Sequence, residues 1–176
     1  MRSITAILLA AIAIPANATF HLWYINEVHS NADGTVQFIE MKAAASGQQF
    51  IRGHTVRSSQ GGTTNTYTFP NDLPGDSVEG MMNPYGYGYG GEGEVIYKTF
   101  LIATQGFAAL NVVTPDFVVP NNFLFPGGGT INFGEGADVF THPALPTDGR
   151  SMTRDRTLIA NSPMNFAGAI GSISTT

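Results

Sequence analysis

The chain consists of short runs of β-branched and aromatic residues separated by clusters of Gly, Pro, Asn and Asp. No stretch of a dozen residues shows the apolar spacing of an amphipathic helix. The pattern predicts eight strands, at residues 21–29, 35–44, 54–59, 64–69, 94–104, 116–120, 129–134 and 137–142. Residues 150–155 are a candidate ninth strand, and residues 104–110 are the one plausible helical turn. We therefore expect an all-β domain, built as a two-sheet sandwich or a barrel.

The composition supports one folded domain. Hydrophobic residues occupy 43% of the 176 positions, which is enough to form a core. Charged residues make up only 12%, and the 21 glycines suit a turn-rich β protein better than a disordered tail. No internal repeat is visible, so we expect a single domain over residues 19–176.

The first eighteen residues have the pattern of a secretory signal peptide. Arg2 supplies a positive start, residues 4–14 are apolar, and Ala-Asn-Ala at 16–18 is a small-x-small cleavage site. The apolar run stops at Pro15, well short of the roughly 20 residues of a membrane span. We expect cleavage after residue 18. The mature chain is then expected to be secreted, extracellular or at the cell surface, without stable membrane insertion.

Charge and cysteine content exclude several kinds of site. Without Arg2, seven basic and thirteen acidic residues remain, a net charge of about −6. Nucleic-acid binding through phosphates needs a basic stripe, whereas the basic residues here are scattered apart from 154–156. The chain has no cysteine, so disulfides and Cys-based zinc sites are excluded.

Residues 80–94 form a low-complexity tract in which Gly alternates with Tyr85, Tyr87 and Tyr89. So much Gly disfavours a packed strand, and the tract is predicted to be a long exposed loop inserted between strands. Tyr side chains offer large contact area at low entropic cost. The three tyrosines are therefore candidate recognition residues for a saccharide, a protein partner or a sister subunit. A loop without any partner is the alternative.

Residues 26–41 concentrate acidic groups around a turn. Asn31 and the Asp33-Gly34 pair are strong turn signals and predict a hairpin. If Ser30 pairs with Thr35, two carboxylates, those of Glu27 and Glu40, become diagonal neighbours on one face. A one-residue bulge would move them to opposite faces. Both are weak candidates for a general acid/base pair, and the simpler interpretation is that they satisfy backbone groups.

Other patterns offer little chemistry. The four histidines, His21, His29, His54 and His142, lack the close spacing of a zinc site. Asp33 suits a turn better than a calcium loop, because the alternating oxygens and the distal Glu are missing. We name no cofactor, and calcium binding is left open because no motif supports it. Neither a Gly-x-Ser-x-Gly elbow nor a Gly-Lys-Ser/Thr phosphate loop is present. We assign no catalytic, cofactor-binding or metal-binding residue and expect no enzyme.

Several short motifs resemble the lamin-tail domain. They are Ile-Asn-Glu-Val at 25–28, Phe-Ile-Glu-Met at 38–41, Ile-Arg-Gly at 51–53, and the segments 99–104, 136–140 and 148–155. Together with Phe-Ala-Gly at 166–168, they resemble a bacterial exported subset of that family. The resemblance implies an immunoglobulin-like antiparallel β-sandwich and an interaction module without catalytic residues. The Tyr/Gly tract and the lack of an appended catalytic domain depart from the family pattern.

Three functions remain open at this point. The first and favoured one is an exported, non-enzymatic binding or structural module at the cell surface or in the extracellular matrix. The second is a self-assembling subunit of an extracellular fibre or layer, joined by β-strand addition. The third is a small secreted hydrolase that uses the Glu27 and Glu40 pair.

Overall fold

A computed structural model describes residues 20–80 and 95–174 of the chain. The strands in this part are β1 (Trp23–Ser30), β2 (Gln37–Ala43), β3 (Thr55–Gln60), β4 (Thr63–Thr68), β5 (Val78–Glu79), β6 (Ile96–Tyr97), β7 (Thr99–Thr104), β8 (Phe117–Val119), β9 (Gly129–Phe133), β10 (Asp138–His142), β11 (Arg150–Thr153) and β12 (Leu158–Ala160). A short helix α1 (Gln105–Ala109) follows β7, and a 3-10 turn (Gly134–Gly136) follows β9. The predicted signal segment 1–18 lies outside the described residues.

The strands form two main sheets and one small one. Six strands are ordered β12-β11-β1-β2-β7-β8, four are ordered β10-β9-β3-β4, and β5 pairs with β6 alone. Every pairing between these strands is antiparallel except that of β7 with β8. The two larger sheets share one apolar core. The prediction of an all-β domain is confirmed, and the two sheets are consistent with a sandwich.

Each predicted strand overlaps an observed one, and the predicted helical turn corresponds to α1. The predicted strand 94–104 is divided at Lys98 into β6 and β7. Sequence patterns missed β5 and β12, which are only two and three residues long. Runs this short contain too few residues to show an alternating pattern.

Aromatic rings dominate the core between the sheets. Phe69 packs edge-on against Phe100, Phe117 and Phe133, with ring centroids 6.1, 4.9 and 5.8 Å away. Trp23 meets Phe100 at 4.7 Å and donates its indole N–H to the Gln48 carbonyl at 2.7 Å. Edge-to-face packing contributes beyond simple area burial, and this cluster holds the two sheets together.

The first hairpin has a wider loop than the sequence suggested. Ser30 pairs with Gln37, so the trial pairing of Ser30 with Thr35 is wrong by two residues. Asp33 accepts hydrogen bonds from the backbone N–H and the hydroxyl of Thr35, at 3.0 and 2.6 Å. Asn31 accepts from the Val36 N–H at 2.9 Å. These local bonds hold residues 31–36 in the loop, which explains the register.

The outer face of the six-stranded sheet is also covered. Phe38, Leu101 and Ala103 pack there with Phe107 of α1 and with Val113. Residues 161–174, which we call the C-terminal strap, follow β12 and cross this face. The central strands β1, β2 and β7 are therefore largely buried on both sides. None of the helices in the described ranges is long and apolar enough to span a membrane.

Candidate functional site

The hairpin register brings Glu27 directly opposite Glu40 on the outer face of the six-stranded sheet. The register shifts between Ile25 and Glu27, which makes Asn26 the extra residue of a β-bulge. Because the bulge lies beyond the pair, it does not separate the two carboxylates. It turns Asn26 toward the same side, where its amide donates to Glu40 Oε1 at 2.6 Å. The two acids are thus closer than the diagonal arrangement considered from sequence.

Fixed donors surround Glu27, whose residue is only 2% exposed. Its Oε1 accepts from the Ser151 hydroxyl on β11 and from the backbone N–H of Ser162 at 3.0 Å. Its Oε2 accepts from the Ser162 hydroxyl at 3.2 Å. Both carboxylate oxygens are therefore bound by the protein itself, Oε1 by β11 and the strap and Oε2 by the strap alone.

Glu40 is 3% exposed and is bound in the same manner. Its Oε1 takes the Asn26 amide, and its Oε2 accepts the backbone N–H of Met164 at 2.7 Å. Burial raises the pKa of Glu40 to about 7, since few water molecules reach the charged form. Hydrogen bonds from Asn26 and Met164 act in the opposite direction without offsetting the burial.

A third carboxylate, that of the half-buried Asp116, completes the pattern. Its Oδ2 accepts the N–H of Leu101 at 2.7 Å and the N–H of Phe166 at 2.9 Å. Burial raises the pKa of Asp116 as well. Ser162, Met164 and Phe166 are alternate residues of the strap, so three successive outward N–H groups each reach one acid. We call Glu27, Glu40 and Asp116 the carboxylate row.

Two members of the row, Glu27 and Glu40, are candidates from the sequence, whereas Asp116 is not. Glu27 and Glu40 each lie between apolar residues within a predicted strand, which was the usable signal. A carboxylate buried in this way needs donors, but apart from Asn26 the donors lie 124 or more residues away along the chain. Asp116 stands just before a short strand and carries no such signal.

The geometry of the row suits the binding of a backbone segment. General acid/base catalysis requires a carboxyl that can reach a substrate, whereas Glu27 and Glu40 are under the strap with every oxygen bound. Two asparagines of the strap add further hydrogen bonds. Asn161 bonds both backbone groups of Ile173, at 2.9 and 2.6 Å, and Asn165 donates to Thr114 O at 3.0 Å.

An open cleft of about 670 Å³ lies beside the row, between the first hairpin loop and the end of the strap. His29, Asp33, Asp148 and Ile173 are among its lining residues. His29 Nδ1 lies 2.9 Å from the Arg150 carbonyl, which can only accept, so Nδ1 carries the hydrogen. Burial lowers the pKa of His29. The ring is thus neutral at pH 7 and its Nε2 is an acceptor.

The remaining histidines are dispersed. His54 Nδ1 lies 2.9 Å from Glu135 on the four-stranded sheet, and its ring stacks on Phe20. His142 is buried at the end of β10 and its Nδ1 donates to Pro143 O at 2.9 Å. His21 lies beside Phe20 near the start of β1. Within residues 20–80 and 95–174, no three His, Asp or Glu side chains are placed to hold a metal ion.

The candidate recognition residues Tyr85, Tyr87 and Tyr89 lie outside the described residues. The carboxylate of Asp33, considered from sequence as a calcium ligand, accepts hydrogen bonds from Thr35 in the hairpin loop.

Compared with known proteins, the chain matches no family model, no curated protein and no solved structure.

Proposed function

We propose that the protein is an exported, non-enzymatic binding or structural module that acts at the cell surface or in the extracellular matrix. One observation carries this proposal: both members of the acid pair are bound on every oxygen by donors of the protein itself. A carboxylate row that fixes a strap is a structural element. This structural role of the two acids favours a binding module over a hydrolase.

The proposal extends to the fold family. We infer an immunoglobulin-like sandwich of the lamin-tail type, with the Ile-Asn-Glu-Val and Phe-Ile-Glu-Met motifs as its signature. In support, these motifs lie on β1 and β2, the central antiparallel pair of the six-stranded sheet. The acid of each motif, Glu27 or Glu40, belongs to the carboxylate row. The two motifs therefore position the acceptors that bind the strap.

Two places could bind the partner, a protein or saccharide at the cell surface. One is the Tyr/Gly tract with Tyr85, Tyr87 and Tyr89, which its composition predicts to be a recognition loop. The other is the open cleft, where the neutral His29 ring and Asp148 offer acceptors beside apolar Ile173. A polar cleft with an apolar wall suits a hydroxyl-rich ligand.

Binding of the labelled, purified protein to cells and cell-wall material tests the proposal. We expect saturable binding, and we expect Glu27→Gln and Glu40→Gln to leave that binding unchanged once folding is confirmed. Deletion of residues 81–93 tests the loop, and Ala32→Trp, at an exposed position of the cleft wall, tests the cleft. The proposal fails if no saturable binding is found and a hydrolytic activity appears that both Gln variants lose.

A further inference from the structure

We propose that two copies of this protein pair through β4, antiparallel to each other, about a two-fold axis at Thr66. The two four-stranded sheets would then join into one continuous sheet of eight strands. The surface is separate from the carboxylate row and from the cleft. The inference goes beyond the proposed function and does not depend on which ligand the module binds.

The outer edge of β4 carries unused backbone groups. Phe69 N–H donates to His54 O at 2.9 Å, and because antiparallel partners alternate, Asn65 and Tyr67 also bond toward β3. The N–H and C=O groups of Thr64, Thr66 and Thr68 therefore point away from the sheet. Within the described residues, no other hydrogen bond reaches these backbone groups, and all three threonines are exposed.

The opposite edge of the same sheet is occupied. Arg154 and Arg156, from the turn between β11 and β12, donate to the carbonyls of Val139 and Thr141 on β10, at 3.4 and 3.1 Å. A strand added there would have to displace two charged side chains, a protective device common at sheet edges. β10 is therefore closed, whereas β4 contains no charged residue, Pro or Gly.

The edges of the six-stranded sheet are poor sites for a second copy. β8 and β12 are three residues long, and Pro120 directly follows β8. Short strands and Pro limit pairing at an edge. With one long open edge in the described part of each copy, we expect the assembly to stop at a dimer and not to extend into a fibre.

The residues of β4 are complementary to themselves. In the proposed register Thr66 lies opposite Thr66 of the second copy, and Thr64 lies opposite its Thr68. All outward backbone groups are then used, since each of these pairs exchanges two hydrogen bonds, about six in all. Facing threonines are favourable cross-strand pairs, and an uncharged strand meets no like-charge repulsion from its copy. This symmetry identifies a second copy as the occupant.

The absence of native cysteine permits a direct crosslinking test. Opposite residues of an antiparallel pair have Cβ atoms about 5 Å apart, so Thr66→Cys should give a covalent dimer with a short bifunctional thiol reagent. Thr141→Cys is the matched control, because it places an exposed thiol on the closed edge. We expect at least tenfold more dimer from Thr66→Cys. Equal yields from the two variants would overturn the proposal.

A charge variant tests the same axis without crosslinking. Thr66→Lys places two ammonium groups beside each other in the dimer, and we expect the dimer dissociation constant in sedimentation to rise at least tenfold at low salt. High salt should partly reverse the rise because it screens the repulsion. Thr141→Lys should leave the constant unchanged, with circular dichroism confirming that both variants fold. A protein that stays monomeric up to millimolar concentration, or forms filaments, overturns the proposal.

Discussion

Where the strap crosses the six-stranded sheet, buried residues on its two faces are stabilised by different chemistry. On the inner face, Ile39 and Phe100 are at most 1% exposed and belong to the apolar core. On the outer face, Glu27 and Glu40 are 2% and 3% exposed and depend on hydrogen bonds to the strap. The exposed fraction of a side chain therefore does not show which interactions stabilise it. The inner face is sensitive to lost volume, and the outer face is sensitive to a lost partner.

The largest expected effect comes from the inner face. Phe100→Ala removes a ring that meets Trp23, Phe69, Phe117 and Phe133. It should lower the free energy of unfolding by about 3–5 kcal/mol, because the cavity cannot close fully. Urea unfolding measures the change, with Val139→Ala, at an exposed position on β10, as the control. A loss below about 1 kcal/mol would mean that the aromatic cluster does not join the sheets.

The outer face should respond locally to Glu40→Ala. The variant leaves the Met164 N–H and the Asn26 amide without their acceptor, and we expect a loss of about 3 kcal/mol. Glu40→Gln should cost less, because a rotated Asn26 amide can accept from the new amide while Met164 keeps its acceptor. Hydrogen exchange distinguishes this face from the inner one. The amides of Ser162, Met164 and Phe166 should exchange faster before the core does.

A pH series tests the same face without altering its shape. The pKa of Glu40 is about 7 in the folded chain against 4.5 for a solvated Glu, so the folded state holds an extra proton between these values. Stability should therefore fall as pH rises, by about 2 kcal/mol from pH 5 to pH 7. The raised pKa of Asp116 acts in the same direction. Glu40→Gln should flatten the profile, and an unchanged slope would assign it to other groups.

The smallest effect is expected from Ser151→Ala. The variant removes one donor to Glu27, which keeps the N–H and the hydroxyl of Ser162. We expect a loss of about 1 kcal/mol, since the carboxylate stays partly satisfied. Thermal unfolding of Ser151→Ala and Glu40→Ala under the same conditions ranks their losses of stability. A larger loss for Ser151→Ala would place the main anchor of the outer face on β11 instead of the strap.

The inner face could be predicted from sequence because its pattern is local. Strands β1 and β2 alternate apolar residues within a few positions, and the turn residues Asn31 and Asp33 mark the hairpin between them. Such signals survive small errors in strand boundaries. The all-β class followed from them directly.

The outer face could not be predicted because it depends on contacts distant in sequence. The two-residue shift in the hairpin decides that Glu27 faces Glu40, and the Asn26 bulge brings a donor to Glu40; neither has a local signature. Ser162 and Met164 contact the row across 135 and 124 residues. Residue type gives little indication of these contacts, because both residues donate through a backbone N–H, which every residue but Pro possesses, and only Ser162 adds a side-chain hydroxyl.

The position of the strap along the chain sets an order of events in folding. The six-stranded sheet needs only residues up to β12, so it can assemble before the strap emerges behind it. Until then its outer face presents Glu27, Glu40 and Asp116 to water as three hydrated acids. Before the strap binds, this part of the outer face is therefore polar. An apolar surface in its place would associate with neighbouring chains. The same carboxylates thus serve the protein twice, first as solubilising groups and later as the acceptors that fix the strap.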